Sequence, residues 1–246
     1  MINDFLNDAI LANRLIYTEI KSGYKSEWQK EFNIGAGGDI SSGIDLFAEE
    51  IFIKYLSKYG TIDSEESGII ENGIKTIILD PIDGSSNALS HFSYFGSSIA
   101  LLDEEKSVKV AVVANFASGE IFYKIKDSNL KVGLLDDTNC FKDEKIVQNS
   151  KIGLFEKAYS NYNVVKLLNE NGFKFRSPGA LALSLAYARR VDWVLYIGNI
   201  RDYDIKAAIA MCEGLNITIQ NNYILVSKNK DIFNLINDIL KVANVR

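Results

Sequence analysis

Ile2, Phe5, Leu6, Ala9, Ile10 and Ile16 recur at intervals of three and four over residues 2–20, the period of a helix that buries one stripe. The same period returns over residues 43–59 in Ile44, Phe47, Ala48, Ile51, Tyr55 and Tyr59, which predicts a second amphipathic helix. Between the two, Gly35-Ala36-Gly37-Gly38 predicts a flexible loop, because consecutive glycines remove helix preference.

From Lys75 onward the pattern shortens. Runs rich in β-branched residues at 76–79, 98–102, 108–113 and 120–125 predict neighbouring strands of one sheet. A polar, Asp-rich stretch at 126–145 interrupts them, after which helical and strand patterns alternate, with helices expected at 180–190, 203–213 and 230–242. The reading is a mixed α/β architecture of layered helices and sheets. No internal repeat, Pro-rich linker or low-complexity tract divides it, so the expected organisation is one domain over 1–246, with any division into two lobes near 130–150.

Composition narrows the chemistry. Over 246 residues, 32 acidic against 27 basic residues give a net charge of -5, which argues against broad nucleic-acid binding, since phosphate backbones need a positive footprint. No apolar run approaches the roughly 20 residues needed to span a bilayer, so no membrane role is expected. The start, Met1-Ile2-Asn3-Asp4-Phe5, lacks the basic head and apolar core of an export signal, and a cytoplasmic location is the expectation. Two isolated cysteines, Cys140 and Cys212, and a single histidine, His91, leave oxygen as the ligand for any metal. His91 reads as polar surface, Cys212 as core and Cys140 as incidental.

One run concentrates the polar chemistry. The apolar strand Ile77-Ile78-Leu79 leads into Asp80-Pro81-Ile82-Asp83-Gly84-Ser85-Ser86-Asn87, which places two carboxylates at the end of a strand with a stiffening proline between them. A turn there lets both carboxylates and the Ile82 carbonyl converge on a small hard cation. A helix beginning near Ser85 would add backbone N–H groups suited to phosphate. Two other readings stand beside this one: an ordinary surface turn, and an aspartyl-phosphate phosphatase, whose two aspartates alternate along one strand end with the first as nucleophile.

Read whole, the run resembles the metal-binding signature of the inositol monophosphatase and fructose-1,6-bisphosphatase superfamily, and its Gly-Ser-Ser-Asn ending looks like the fructose-1,6-bisphosphatase branch. Ser64-Glu65-Glu66-Ser67 resembles the Gly-Glu-Glu-Ser segment of that family, and Asp39 to Asp45 followed by Ala48-Glu49 resembles its early Asp and Ala-Glu pattern. Asp202-Tyr203-Asp204 through Ala208 is similar to the Trp-Asp-x-x-Ala motif, with Tyr203 in the tryptophan position, and 176–183 resembles the Gly-Ser-x-Ala-Leu region. The likeness extends over roughly 35–240.

The resemblance implies a layered αβαβα sandwich, commonly a homodimer, and a lithium-sensitive, Mg²⁺-dependent phosphomonoesterase acting on a small phosphate ester. It implies one Mg²⁺ on Glu65, Asp80 and the Ile82 carbonyl, a second on Asp80, Asp83 and Asp204, and room for a third, weaker ion near Glu65. It makes Asp45, Ser85 and Glu65 the catalytic side chains, with Ser85 hydrogen-bonded to Asp45 to orient or deprotonate the attacking water. Phosphate and substrate contacts fall on Gly84, Ser85, Ser86, Arg176, Gly179, Ala180 and Arg201; Arg176, Arg201 and Lys206 are candidates for a second anionic group.

The sequence also departs from the pattern. Ile197 stands where the family's inositol-binding acid would be, and Ala180 replaces the serine after Gly179. A hydroxyl-rich ring loses two partners there. The loop lysine usual before the Asp39 position is missing as well, and the loop at 34–38 is expected to close over the metals. Fructose-1,6-bisphosphatase, 3′(2′),5′-bisphosphate nucleotidase and a non-catalytic sensor of phosphorylated metabolites are the alternatives.

Overall fold

The computed structural model describes residues 1–245, with side chains at all of these except 138 and 139. Its helices are α1 Ile2–Ser22, α2 Gly43–Leu56, the short α3 Ser85–Leu89, α4 Tyr162–Glu170, α5 Leu181–Ala186, α6 Asp202–Met211 and α7 Lys230–Val242. Both N-terminal helices lie where the periodicity predicts them, and the end of the second tightens into a 3₁₀ turn at Ser57–Tyr59. The helix expected at 180–190 stops at Ala186.

Eight strands form the larger sheet: β3 Thr61–Ser64, β4 Gly68–Ile70, β5 Thr76–Asp83, β6 Gly96–Leu102, β7 Val108–Asn115, β8 Glu120–Ile125, β9 Lys131–Leu134 and β10 Asp137–Asp143. Their order is β10-β9-β8-β7-β6-β5-β3-β4, antiparallel except where β3 runs parallel to β5. The Asp-rich stretch near 126–145, expected to interrupt the sheet, extends it through β9 and β10. β10 is an exposed edge strand and β9 is only four residues long, so neither carries enough apolar alternation to show in the sequence. The smaller sheet has the order β12-β11-β13-β15-β14, built from β11 Gly153–Glu156, β12 Phe175–Arg176, β13 Trp193–Ile197, β14 Asn216–Ile219 and β15 Tyr223–Ser227. A separate two-stranded ribbon pairs β1 Glu31–Ile34 with β2 Ile40–Ser42 and closes the glycine-rich segment into a hairpin.

Alternation along the strands decides the layering. One face of the large sheet, with Ile77, Leu79, Ile99, Leu101, Val110 and Val112, packs on Phe5, Ala9, Ile16, Ile44 and Phe52 of α1 and α2. The residues between them, Ile78, Ala100, Leu102, Ala111 and Val113, face Leu181, Leu183, Ala207, Ala208 and Met211 of α5 and α6, together with Leu154, Val194, Ile224 and Val226 of the small sheet. The far face of the small sheet, with Phe155, Trp193, Leu195 and Leu225, packs on Val164, Leu168, Phe233, Ile236 and Leu240 of α4 and α7. Five layers result, αβαβα, because both sheets have apolar side chains on both faces and each face needs a cover. The middle helical layer holds the site: it brings the starts of α5 and α6 to the carboxyl end of β5.

Candidate active site

Asp80 and Asp83 reach the same cleft through a β-bulge. Positions three apart on a regular strand point to opposite faces. Here Asp80 pairs with Ser98 and Asp83 with Gly96, so β5 carries an extra residue between them and the alternation is reset. The turn expected at Pro81 is therefore a strand irregularity, and a bulge is where a sheet tolerates a proline with no N–H to donate. The two carboxylates are 2 % and 5 % exposed. Asp83 Oδ2 accepts a 2.7 Å hydrogen bond from Leu183 N.

The chain then turns through Gly84, whose φ of 90° strains any side chain and whose added Cβ would stand in tight contact, 3.1 Å, with both Gly179 O and Ala180 Cβ. Asn87 ties the two segments together, donating 2.7 Å hydrogen bonds to Tyr94 O and Pro178 O. Ser85 opens α3 as expected, and its Oγ lies 2.6 Å from Asp45 Oδ1 and 3.0 Å from Ile82 O. Asp45 is 1 % exposed rather than on a solvated helix face; its Oδ2 accepts from Ser42 N at 2.8 Å and Ser42 Oγ at 2.6 Å, which fixes the rotamer at the start of α2.

Glu65, Asp80 and Asp204 each present a carboxylate oxygen within 4.8 Å of one another. Glu65 follows β3, whose parallel pairing with β5 sets it beside Asp80, and Asp204 sits in the first turn of α6. Such crowding shows in the acidity of Asp80, Asp83 and Glu65. Burial first, then the charges of Glu65, Asp83, Asp204 and Asp45, raise Asp80 well above the ordinary carboxylate range. Asp83 is raised mainly by burial, against the hydrogen bond from Leu183 N. Glu65 is raised by burial to about 7, although the Arg201 charge opposes the rise. Buried like charges facing one point are stabilised by a divalent cation, and an all-oxygen donor set suits Mg²⁺.

These groups line a cleft of about 690 Å³, the size of a small-metabolite pocket. Gly84, Ser85, Ser86, Gly179 and Arg201 are in its wall, together with Ile82, Lys157, Tyr159 and Tyr196. Ala180 is 2 % exposed and packed behind it. Arg176 is not brought to the cleft: it is exposed, with Nη1 donating to Phe175 O. Lys206 pairs with Asp202 at 3.3 Å. Arg201 turns toward the acids, pairing with Glu65, Asp204 and Asp39. Ile197 is buried in the outer core instead of facing the cleft. A smaller cleft of about 540 Å³ by Lys124, Asp143, Arg189 and Glu213 mixes both signs of charge without converging carboxylates.

Glu156 is a cleft residue that sequence reading passed over. It ends β11, is 2 % exposed, and accepts from Gly179 N at 2.8 Å, Ala180 N at 3.4 Å and Ser184 Oγ at 2.5 Å. Burial raises its pKa above the ordinary carboxylate value, against those hydrogen bonds. The available signal was a carboxylate closing an apolar strand, as in Leu79-Asp80. Glu49 likewise supports the site by holding Ser67 N at 2.9 Å and Ser67 Oγ at 2.5 Å, which anchors the segment after Glu65.

Residues 8–221 match the model of the inositol monophosphatase family. A bifunctional NADP phosphatase/NAD kinase of Methanocaldococcus jannaschii is 29 % identical over 79 % of this chain, which spans 41 % of that longer protein. A fructose-1,6-bisphosphatase/inositol-1-monophosphatase of Methanothermobacter thermautotrophicus is 26 % identical over 76 % of the chain and 73 % of the relative. The fold is that of the extragenic suppressor protein suhB of Bartonella henselae, with a TM-score of 0.78 at 23 % identity over 96 % of this chain and 98 % of the other.

Proposed function

The chain belongs to the inositol monophosphatase family of phosphoric monoester hydrolases, and from that premise we propose that it hydrolyses a small phosphorylated metabolite with Mg²⁺ held by Glu65, Asp80, Asp83, Asp204 and the Ile82 carbonyl. One observation carries the reading: carboxylates from three separate segments, Glu65, Asp80 and Asp204, converge within 4.8 Å beside a hydroxyl–carboxylate pair.

Bound Mg²⁺ would screen the ester's charge and make a water molecule acidic enough to attack. The protein's part is positioning and proton handling. Ser85 Oγ, held between Asp45 Oδ1 and Ile82 O, is placed to orient the attacking water, and Asp45 is placed to receive a proton through it. Backbone N–H groups of Gly84, Ser85 and Ser86 are suited to the phosphate oxygens, with Gly179 across the cleft. Direct attack by water needs no phosphoenzyme, unlike the aspartyl-phosphate alternative, whose two aspartates alternate along one strand end rather than standing three apart as Asp80 and Asp83 do.

The substrate-side wall favours an anionic ester with a flat or apolar part over a bare polyol. Tyr159, Tyr196 and Ile34 line it, and Lys157 lies 5.4 Å from the Tyr196 ring centre. NADP, the substrate named for one relative, therefore ranks before fructose-1,6-bisphosphate and inositol-1-phosphate, both named for another. A homodimer is part of the same proposal. The test is phosphate release with Mg²⁺ from a panel of NADP, adenosine 3′,5′-bisphosphate, fructose-1,6-bisphosphate and inositol-1-phosphate. No release from any of them overturns the reading, and release from inositol-1-phosphate alone overturns the substrate order.

A further inference from the structure

Arg201 stands three residues before Asp204 and its guanidinium is engaged on every side. Nη1 lies 2.8 Å from Glu65 Oε1, 2.9 Å from Asp39 Oδ2 and 3.1 Å from Gly37 O, while Nε and Nη2 grip Asp204 in a fork, at 2.9 Å from Oδ2 and 3.0 Å from Oδ1. Glu65 and Asp204 belong to the trio of carboxylates that converges within 4.8 Å. A hard cation on that trio would have to share the oxygens of Glu65 and Asp204 with a guanidinium already bound to them, and the two like charges repel.

The other half of the grip is on the glycine-rich loop. That loop lies on the Glu65 segment: Gly37 N donates to Glu65 O at 2.7 Å and Ala36 N to Glu66 O at 3.0 Å. A Cβ at Gly37 would sit 2.5 Å from Glu65 Cγ, so the approach is as close as a side-chain-free backbone allows. Gly38 has a φ of +95° and leads directly to Asp39, which the guanidinium holds. One cation of the chain thus joins the loop at 35–39, the carboxylate after β3 and the first turn of α6.

We propose that Arg201 is a tethered cation that competes with Mg²⁺ for Glu65 and Asp204, and that metal binding, by taking those carboxylates, releases its hold on the loop at 35–39, the reverse of the closure expected from the sequence. The loop and the metal site are then two ends of one equilibrium: whatever favours the metal-held carboxylates opens the loop, and whatever holds the loop down weakens the metal, by the same factor. The proposal rests on the cation site of the proposed function but not on catalysis.

Calorimetric titration of Mg²⁺ into the wild type and Arg201→Met tests it, with hydrogen exchange of residues 35–39 followed in parallel. Arg201→Met is expected to bind Mg²⁺ about tenfold more tightly, inside the ~5–150-fold range of ordinary coupling between sites. In the wild type, Mg²⁺ is expected to speed exchange of the loop; in the variant the loop exchanges fast with or without it. Should Arg201→Met not fold, Asp39→Asn cuts only the loop side of the grip and touches no proposed metal ligand. It is expected to speed loop exchange before Mg²⁺ is added and to tighten Mg²⁺ less than Arg201→Met. Equal or weaker Mg²⁺ binding by Arg201→Met, or a loop indifferent to both Mg²⁺ and Asp39→Asn, overturns the proposal while leaving the phosphatase reading intact. No Mg²⁺ binding by any variant overturns both.

Discussion

Ser85 Oγ lies 2.6 Å from Asp45 Oδ1, which joins the start of α3 to the first turn of α2 across the mouth of the cleft. The carboxylate cannot rotate away, because Ser42 N and Oγ occupy its other oxygen. Burial also raises its pKa above the ordinary carboxylate value, against the hydrogen bonds from Ser42 and Ser85. A hydroxyl held this way keeps its oxygen fixed in the cleft wall, where a water must be oriented.

Ser85→Ala is therefore expected to lower kcat by about 10²–10⁴-fold, the usual contribution of a positioned proton-transfer group. KM and thermal stability stay near wild type, and Ser85→Thr, which keeps the hydroxyl, restores most of the rate. Phosphate release against substrate concentration measures all three. A Ser85→Ala rate within threefold of wild type would remove Ser85 from the mechanism.

Asp83→Asn separates fold from function. Asp83 is buried and raised well above the ordinary range, chiefly by burial, so its charge works against the fold until a cation balances it. An amide keeps an oxygen to accept from Leu183 N. In the presence of a chelator the variant is expected to melt higher by a few degrees, as ~1 kcal/mol gives in a chain of this size, and to release no phosphate with Mg²⁺. A lower melting temperature would contradict the charge-crowding argument.

The pH dependence follows from the same carboxylates. Burial raises Glu65 and Glu66 from the ordinary carboxylate value to about 7. Between the unfolded value and 7 the folded chain binds more protons than the unfolded one, so stability falls as pH rises through that window. With a chelator, the melting temperature is expected to drop from pH 5 to pH 8. Added Mg²⁺ reverses the trend, because a cation binds the ionised forms, and its stabilising increment grows with pH. Differential scanning fluorimetry across that range checks both slopes.

Gly84→Ala is expected to destabilise by ~1–3 kcal/mol, the cost of holding a side chain in the left-handed region. The new methyl group also meets Gly179 O and Ala180 Cβ at 3.1 Å, so the cleft walls move apart. Chemical denaturation and KM report the two effects, and an unchanged KM would show that the walls do not need this contact.

Glu156→Ala is expected to cost ~1–3 kcal/mol, because it leaves the buried Ala180 N–H and Ser184 hydroxyl, and the Gly179 N–H beside them, without their acceptor. The segment at 178–180 then loses its anchor, and KM is expected to rise more than kcat falls. Urea unfolding and steady-state kinetics separate these. A pure kcat defect would instead make Glu156 a participant in proton transfer.

What the sequence determined by itself was local. Helical period located α1 and α2, β-branched runs located β5 to β8, and the order of acidic motifs pointed to the family, because period, turn chemistry and motif spacing act over a few residues. Tertiary structure decided what depends on contacts between distant segments. It replaced the turn at Pro81 by a bulge, since the partner register of β6 had to be known, and drew β9 and β10 out of a polar stretch through pairing with β8. It turned Arg201 onto Glu65, Asp204 and Asp39 and left Arg176 outside the cleft. The direction of a charged side chain is set by which opposite charge the packed layers bring near it, and that distance is written in no single stretch of the chain.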